Sequence, residues 1–131
     1  MSLSNGVVKA LYVEDNEDIA RVFAALMTLM VEVKTEVLLA ADGQEGVEVA
    51  LREKPEIILM DEELPVLDGI EASRRIRTCE GLFAVPVVLV SAHLGQRDRT
   101  RRAEEAEITH WVEKPLEPDD LENALRCALG L

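Results

Sequence analysis

Aromatic residues are scarce in this chain, at 3% of 131 residues. Its core must therefore be built from Val, Leu, Ile, Ala and Met. Positive charge is also short: 14 bases stand against 26 acids, for a formal net charge of −12. That balance argues against direct nucleic-acid binding, which needs basic surface to neutralise phosphates. It equally disfavours docking on anionic membranes. It suits binding of cations or of basic partner surfaces. The only two cysteines, Cys79 and Cys127, form no metal or redox spacing, and reduced thiols are expected. No apolar run approaches the about 20 residues of a membrane span. The start, Met1 to Gly6, lacks the charged-then-apolar pattern of an export signal, so a cytoplasmic protein is expected. Repeats, low-complexity tracts and Pro/Gly/Ser linkers are missing too. A single domain over 1–131, with a structured core from about 6 to 130, is the expected organisation.

What is present is a 48% apolar content arranged in short runs. Five stand out: "VVKALYV" (7–13), "VLLA" (37–40), "IILM" (57–60), "VPVVLV" (85–90) and "ITHWV" (108–112). Most are continuous rather than alternating, as in parallel strands covered on both faces. Helical patterns separate them. Ile19, Val22, Phe23, Leu26, Met27 and Met30 share one face of the first and are expected in the core; Leu121, Ala124, Leu125, Ala128 and Leu129 share one face of the last. Asp-Gly pairs open two shorter helices, 42–54 and 68–77. The stretch 94–106 is the weakest helix, with only Leu94, Ala103 and Ala106 as its apolar face. Strand and helix alternate five times, which predicts a doubly wound α/β fold with right-handed crossovers.

In such folds a ligand site lies outside the carboxyl ends of the strands. The first strand ends in Glu14-Asp15, the third in Asp61, the fourth in Ser91 and the fifth near Lys114. A parallel sheet brings these distant residues to one edge. Carboxylates placed side by side repel unless a cation joins them. Hard oxygen donors with open, hydrated geometry favour Mg²⁺, or Mn²⁺ in its place. Lys114 and the Ser91 hydroxyl could then hold phosphoryl oxygens, and Asp61 could attack phosphorus.

Four segments match one family in order and spacing. "YVEDN" is similar to its acidic pair, and "LMDEELPVLDGIE" to its phosphoacceptor segment, with Pro65 four residues and Asp68-Gly69 seven and eight residues after Asp61. "VLVSAH" is similar to its Ser/Thr segment and "HWVEKPLEP" to its Lys-Pro segment. Over essentially its full length the chain resembles the receiver domain of two-component response regulators. The resemblance implies a flavodoxin-like (βα)5 fold, a five-stranded parallel sheet of order 2-1-3-4-5.

It implies these roles as well. Asp61 is the phosphoacceptor, fed by a phosphohistidine on a sensor histidine kinase or a histidine phosphotransfer protein. Asp15 and Asp61 ligate the metal, Glu14 assists through a water, and the backbone carbonyl of Glu63 completes the protein's share. Ser91 and Lys114 read the phosphoryl group. Trp111 stands at the family's aromatic switch position, where an inward turn coupled to Ser91 and a fixed, packed indole are the two readings. Glu63 and His93 flank the phosphoryl group and tune its lifetime. The Lys114-Pro115 bond is expected to be cis. Glu107 stands where the family often has Gly; positive φ would strain Glu, so a different turn is expected there. Arg97, Arg99, Arg101 and Arg102 crowd helix four. The plainer reading of these arginines is a solvated face with an Arg101–Glu105 pair; the other is a partner surface, since in the family the face of helix four, strand five and helix five commonly binds a downstream effector or pairs two copies as a homodimer.

The implied activity is a signalling switch with self-catalysed phosphorylation and dephosphorylation, not a metabolic enzyme. Two other uses of the same residues are a degenerate receiver acting as a docking module and an Asp-nucleophile phosphohydrolase. Multiple turnover on unrelated phosphate esters would mark the latter.

Overall fold

The structure, a computed structural model, describes residues 6–30, 34–92, 97–108 and 110–131, apart from the side chains of 97–100. Five strands and five helices alternate: β1 (Val8–Val13), α1 (Glu17–Thr28), β2 (Thr35–Ala40), α2 (Gly43–Glu53), β3 (Ile57–Asp61), α3 (Gly69–Arg77), β4 (Val87–Ser91), α4 (Arg97–Glu105), β5 (His110–Glu113) and α5 (Pro118–Leu129). All strand pairs are parallel and their order is 2-1-3-4-5. The fold is the expected doubly wound, flavodoxin-like one.

Strand parity splits the core in two. Leu11, Val13, Ile58, Met60, Val87 and Leu89 face α2, α3 and the end of α4, packing with Val47, Ile70, Ala103 and Ala106. Ala10, Tyr12, Ile57, Leu59 and Val88 face α1 and α5, against Met27, Leu121 and Leu125. Successive strand residues point to opposite faces, so two-sided burial requires the continuous apolar runs seen in the sequence.

Each of the first three helices starts on an Asx cap just beyond a strand end. Asn16 accepts from the Ile19 N–H at 3.0 Å, Asp42 from Glu45 at 2.7 Å and Asp68 from Glu71 at 2.9 Å. Such caps satisfy N–H groups that the helix leaves open, each contributing about 1 kcal/mol. The last helix instead begins with Pro118 in its first turn.

Three expectations need correction. Ile19 and Val22 are 42% and 56% exposed, not core. The α1 stripe is wider than the strip of sheet and α5 that it covers; Ala20 and Met27 form its buried centre. Strand β4 begins at Val87, after the proline that interrupts the apolar run; Pro86 lacks an N–H to donate. Glu107 does take positive φ, at 61°. The Ile108 N–H donates to Ala103 O at 2.9 Å and the Glu107 N–H to Glu104 O at 3.0 Å, the paired bonds of a left-handed helix C-terminus. Closing α4 this way outweighs the local steric cost. Glu107→Gly is therefore expected to raise unfolding stability by about 1 kcal/mol, read as a shifted denaturant midpoint at unchanged slope.

Candidate functional site

Three strand ends converge on Asp61. One carboxylate oxygen from each of Glu14, Asp15 and Asp61 lies within 4.8 Å of the others. Asp61 and Glu14 are buried, 1% and 4% exposed, and Asp15 is open to solvent. Lys114, carried in from the end of β5, places Nζ 2.9 Å from Asp61 Oδ2. Its own N–H donates to Ser91 O at 2.9 Å, extending the β4–β5 ladder to the site. The Lys114-Pro115 bond is cis, as expected. The Glu63 N–H donates to Asp61 Oδ1 at 3.1 Å, so both oxygens of Asp61 have a donor.

The second Asp-Gly pair fixes the Asp61 backbone. A Cβ on Gly69 would stand 2.0 Å from the Asp61 carbonyl oxygen, and the Gly69 N–H donates to Glu62 O at 2.9 Å. Only glycine lets α3 start this close to β3. Beyond Pro65, Val66 has φ 71° and the Leu67 N–H donates to Pro65 O at 2.8 Å. A β-branched residue at positive φ is sterically costly, and this one sits in the loop beside Asp61.

The electrostatics report strong negative potential. Burial, with the neighbouring Asp15 and Asp61 carboxylates, pushes Glu14 up to about 7, against the lowering effect of the Asn16 N–H. Burial alone would lower Lys114, but the hydrogen bond and charge of Asp61, with Glu14 and Glu63 behind it, raise it instead. Burial raises the Tyr12 phenol beneath the site, and Glu14 and Asp61 add to that.

The donor set fits a hard divalent cation such as Mg²⁺. It offers carboxylate oxygens, two of them buried and mutually repelling, at a place open through Asp15.

The other predicted residues differ in their placement. Ser91 is buried at the end of β4, and its Oγ donates to Glu62 Oε1 at 2.5 Å. Trp111 is 39% exposed and lines, with His110, Glu113, Asp120, Asn123 and Cys127, a cavity of about 540 Å³ between β5 and α5. Glu63 is exposed beside the site. His93 lies outside the described residues. Both cysteines are free thiols.

Two residues escaped sequence reasoning. Glu62 is 3% exposed although charged. Strand parity could have found it: positions 58, 60 and 62 share a face, as do 87, 89 and 91, so Glu62 and Ser91 meet on adjacent strands. Arg102 on α4 donates to Asp68 Oδ2 at 2.9 Å. Burial would raise Asp68, but the Glu71 N–H and the Arg102 guanidinium outweigh it and hold its carboxyl below the usual range. Nothing in the run of arginines distinguishes Arg102 from its neighbours.

The described residues contain no helix long and apolar enough to cross a membrane. Comparison with known proteins agrees with the geometry. The chain is 36% identical over 91 residues to the transcriptional regulatory protein PdtaR of Mycobacterium tuberculosis, covering 70% of this chain but only 42% of that one. Among solved structures, the receiver domain of the sensor histidine kinase PA1611 from Pseudomonas aeruginosa PAO1 superposes with a TM-score of 0.83 at 34% identity, over 95% of this chain and 98% of that one. That structure holds a magnesium ion in its active-site cleft. The Vibrio cholerae chemotaxis protein CheY4 shares the fold, with a TM-score of 0.85 at 24% identity over 94% of this chain and 99% of that one. Residues 10–126 match the response regulator receiver domain, and the chain belongs to that family of two-component signalling proteins.

Proposed function

We propose that residues from about 6 to 130 act as one cytoplasmic receiver unit that accepts a phosphoryl group on Asp61 and is switched by it. The observation that carries this reading is the convergence on a buried Asp61 of two further carboxylates and the Lys114 ammonium, at 2.9 Å. A carboxylate oxygen of Asp61 attacks phosphorus, the bond from phosphorus to the donor's nitrogen or oxygen breaks, and the leaving group departs with the electron pair. Lys114 holds a phosphoryl oxygen as charge shifts. The Ser91 hydroxyl donates a hydrogen bond to another. The backbone of β3, fixed by the α3 start at Gly69, keeps Asp61 aimed. Asp15, Asp61 and the Glu63 carbonyl would hold Mg²⁺ or Mn²⁺, with Glu14 assisting. The ion supplies charge neutralisation between carboxylates and phosphoryl oxygens.

The donor is a phosphohistidine of a sensor kinase or phosphotransfer protein. The added charge of about −1.5 to −2 draws Ser91 inward and biases α4, β5 and Trp111, the face that meets an effector or a second copy. Glu63 and His93 set how long the phosphoryl group lasts. Incubation with Mg²⁺ and acetyl phosphate is expected to add one phosphoryl group by intact mass, absent in Asp61→Asn and in chelator. A change in Trp111 fluorescence with it supports a moving indole. No addition under any condition would leave a docking module as the reading.

A further inference from the structure

Ser91 has one hydroxyl hydrogen to donate, and its Oγ donates a hydrogen bond to Glu62 Oε1. The bond is 2.5 Å long and both residues are buried, at 1% and 3% exposed. A hydroxyl cannot donate fully to two acceptors. For Ser91 to donate to a phosphoryl oxygen on Asp61, it must leave Glu62. We propose that Glu62 is a positioning residue that latches Ser91 away from the phosphoryl site, so that the loaded arrangement forms only when the Ser91–Glu62 bond breaks. The proposal rests on the reading of Asp61 as phosphoacceptor.

The surroundings make Glu62 a firm latch. Its N–H continues the β3–β4 ladder to Val90 O at 2.9 Å, and its carbonyl accepts from the Gly69 N–H at 2.9 Å. The backbone is held on both sides, so release comes by side-chain rotation. Room for that rotation exists: Glu62, Glu63, Leu64, Asp68 and Arg102 line a cavity of about 230 Å³. The Arg102 guanidinium is already engaged with Asp68 there, and it also feels the charge of Glu62. A hydroxyl bonded to a carboxylate is stronger than a neutral pair. A competing state must overcome that bond before it is populated, which lowers the apparent affinity of anything that selects it.

Beryllofluoride with Mg²⁺, a mimic of the phosphoryl group, tests this without turnover. Affinity is measured by calorimetry for the wild type, Glu62→Met, Ser91→Ala and the double variant. Glu62→Met is expected to bind about tenfold tighter than wild type. In the Ser91→Ala background the same change is expected to have no effect, because no latch remains. Tightening of equal size in both backgrounds would mean charge repulsion by Glu62 and overturn the latch. No tightening in either background would overturn it as well. Glu62→Gln, which keeps the shape and a weaker acceptor, covers a misfolded Met variant and is expected to gain about threefold, again only with Ser91 present. If wild type and Asp61→Asn bind beryllofluoride alike, or neither binds, the Asp61 reading fails and the latch with it. A latch that fails alone leaves the Asp61-dependent binding of wild type intact.

Discussion

Lys114→Ala is expected to slow Mg²⁺-dependent phosphorylation by acetyl phosphate about 10²–10³-fold while tightening Mg²⁺ binding. The two effects have one cause. Lys114 Nζ lies 2.9 Å from Asp61 Oδ2, and the β4–β5 ladder fixes the backbone that carries it. A preorganised cation beside developing charge typically contributes about 3–4 kcal/mol to the barrier. Without it the transferred group has one fewer partner. The same ammonium competes with a metal ion for the negative potential of Glu14, Asp15 and Asp61. Its removal leaves those carboxylates more dependent on the dication, so affinity rises several-fold. Stopped-flow phosphorylation rates and a Mg²⁺ titration of Trp111 fluorescence measure both. Lys114→Arg is not expected to restore the rate, since a planar fork cannot replace a compact ammonium in the same space. Weaker Mg²⁺ binding with an unchanged rate would remove Lys114 from the site's chemistry.

In chelator, Glu14 is expected to make the protein less stable as pH rises from 4.5 to 7. The sign follows from proton counts. Folding raises Glu14 from 4.5 to about 7, so within that window the folded chain holds a proton that the unfolded chain has lost. Stability then falls with pH, and the fall ends once both states are ionised. With solvent screening at this half-open site discounted, the fall is on the order of 1 kcal/mol. Saturating Mg²⁺ is expected to remove the fall, because a metal-bound site is already ionised and binding releases the proton. Mg²⁺ affinity should accordingly climb with pH and level off above 7. Denaturant midpoints near pH 5 and pH 8, in chelator and in Mg²⁺, give the slope. Subtracting the Glu14→Gln curve isolates this residue. A difference curve that is flat in chelator would show that Glu14 ionises freely and that the carboxylates do not crowd.

The sequence makes the edge of the sheet legible because strand ends are sharp. "IILM" stops at Asp61, and an apolar run of that length can only be a short strand or a buried turn of helix. The Asp-Gly pairs mark their helices correctly, because Asp68 caps α3 while Gly69 permits its close approach to Asp61. Strand order is different. Periodicity cannot distinguish 2-1-3-4-5 from other doubly wound orders, so that expectation rests on family resemblance.

Features set by non-local contact were illegible or misread. Ile19 and Val22 carry helical periodicity, but how much of α1 the sheet covers depends on where α5 lies. Glu107 looks like a misfit for positive φ until the two bonds closing α4 are seen. Glu62 looks like one more surface acid in "DEEL", yet it is buried and bonded to Ser91. Its partner lies on another strand, so parity along β3 becomes informative only once β4 is known to be its neighbour.

The central claim is that Asp61 itself carries the phosphoryl group. The direct measurement is borohydride reduction of protein incubated with Mg²⁺ and acetyl phosphate, followed by peptide mass mapping. An aspartyl phosphate reduces to homoserine, and the account predicts homoserine at position 61 and nowhere else. Homoserine at position 15, reduction of Glu62 or Glu63, or phosphate found on a histidine with Asp61 intact would contradict it.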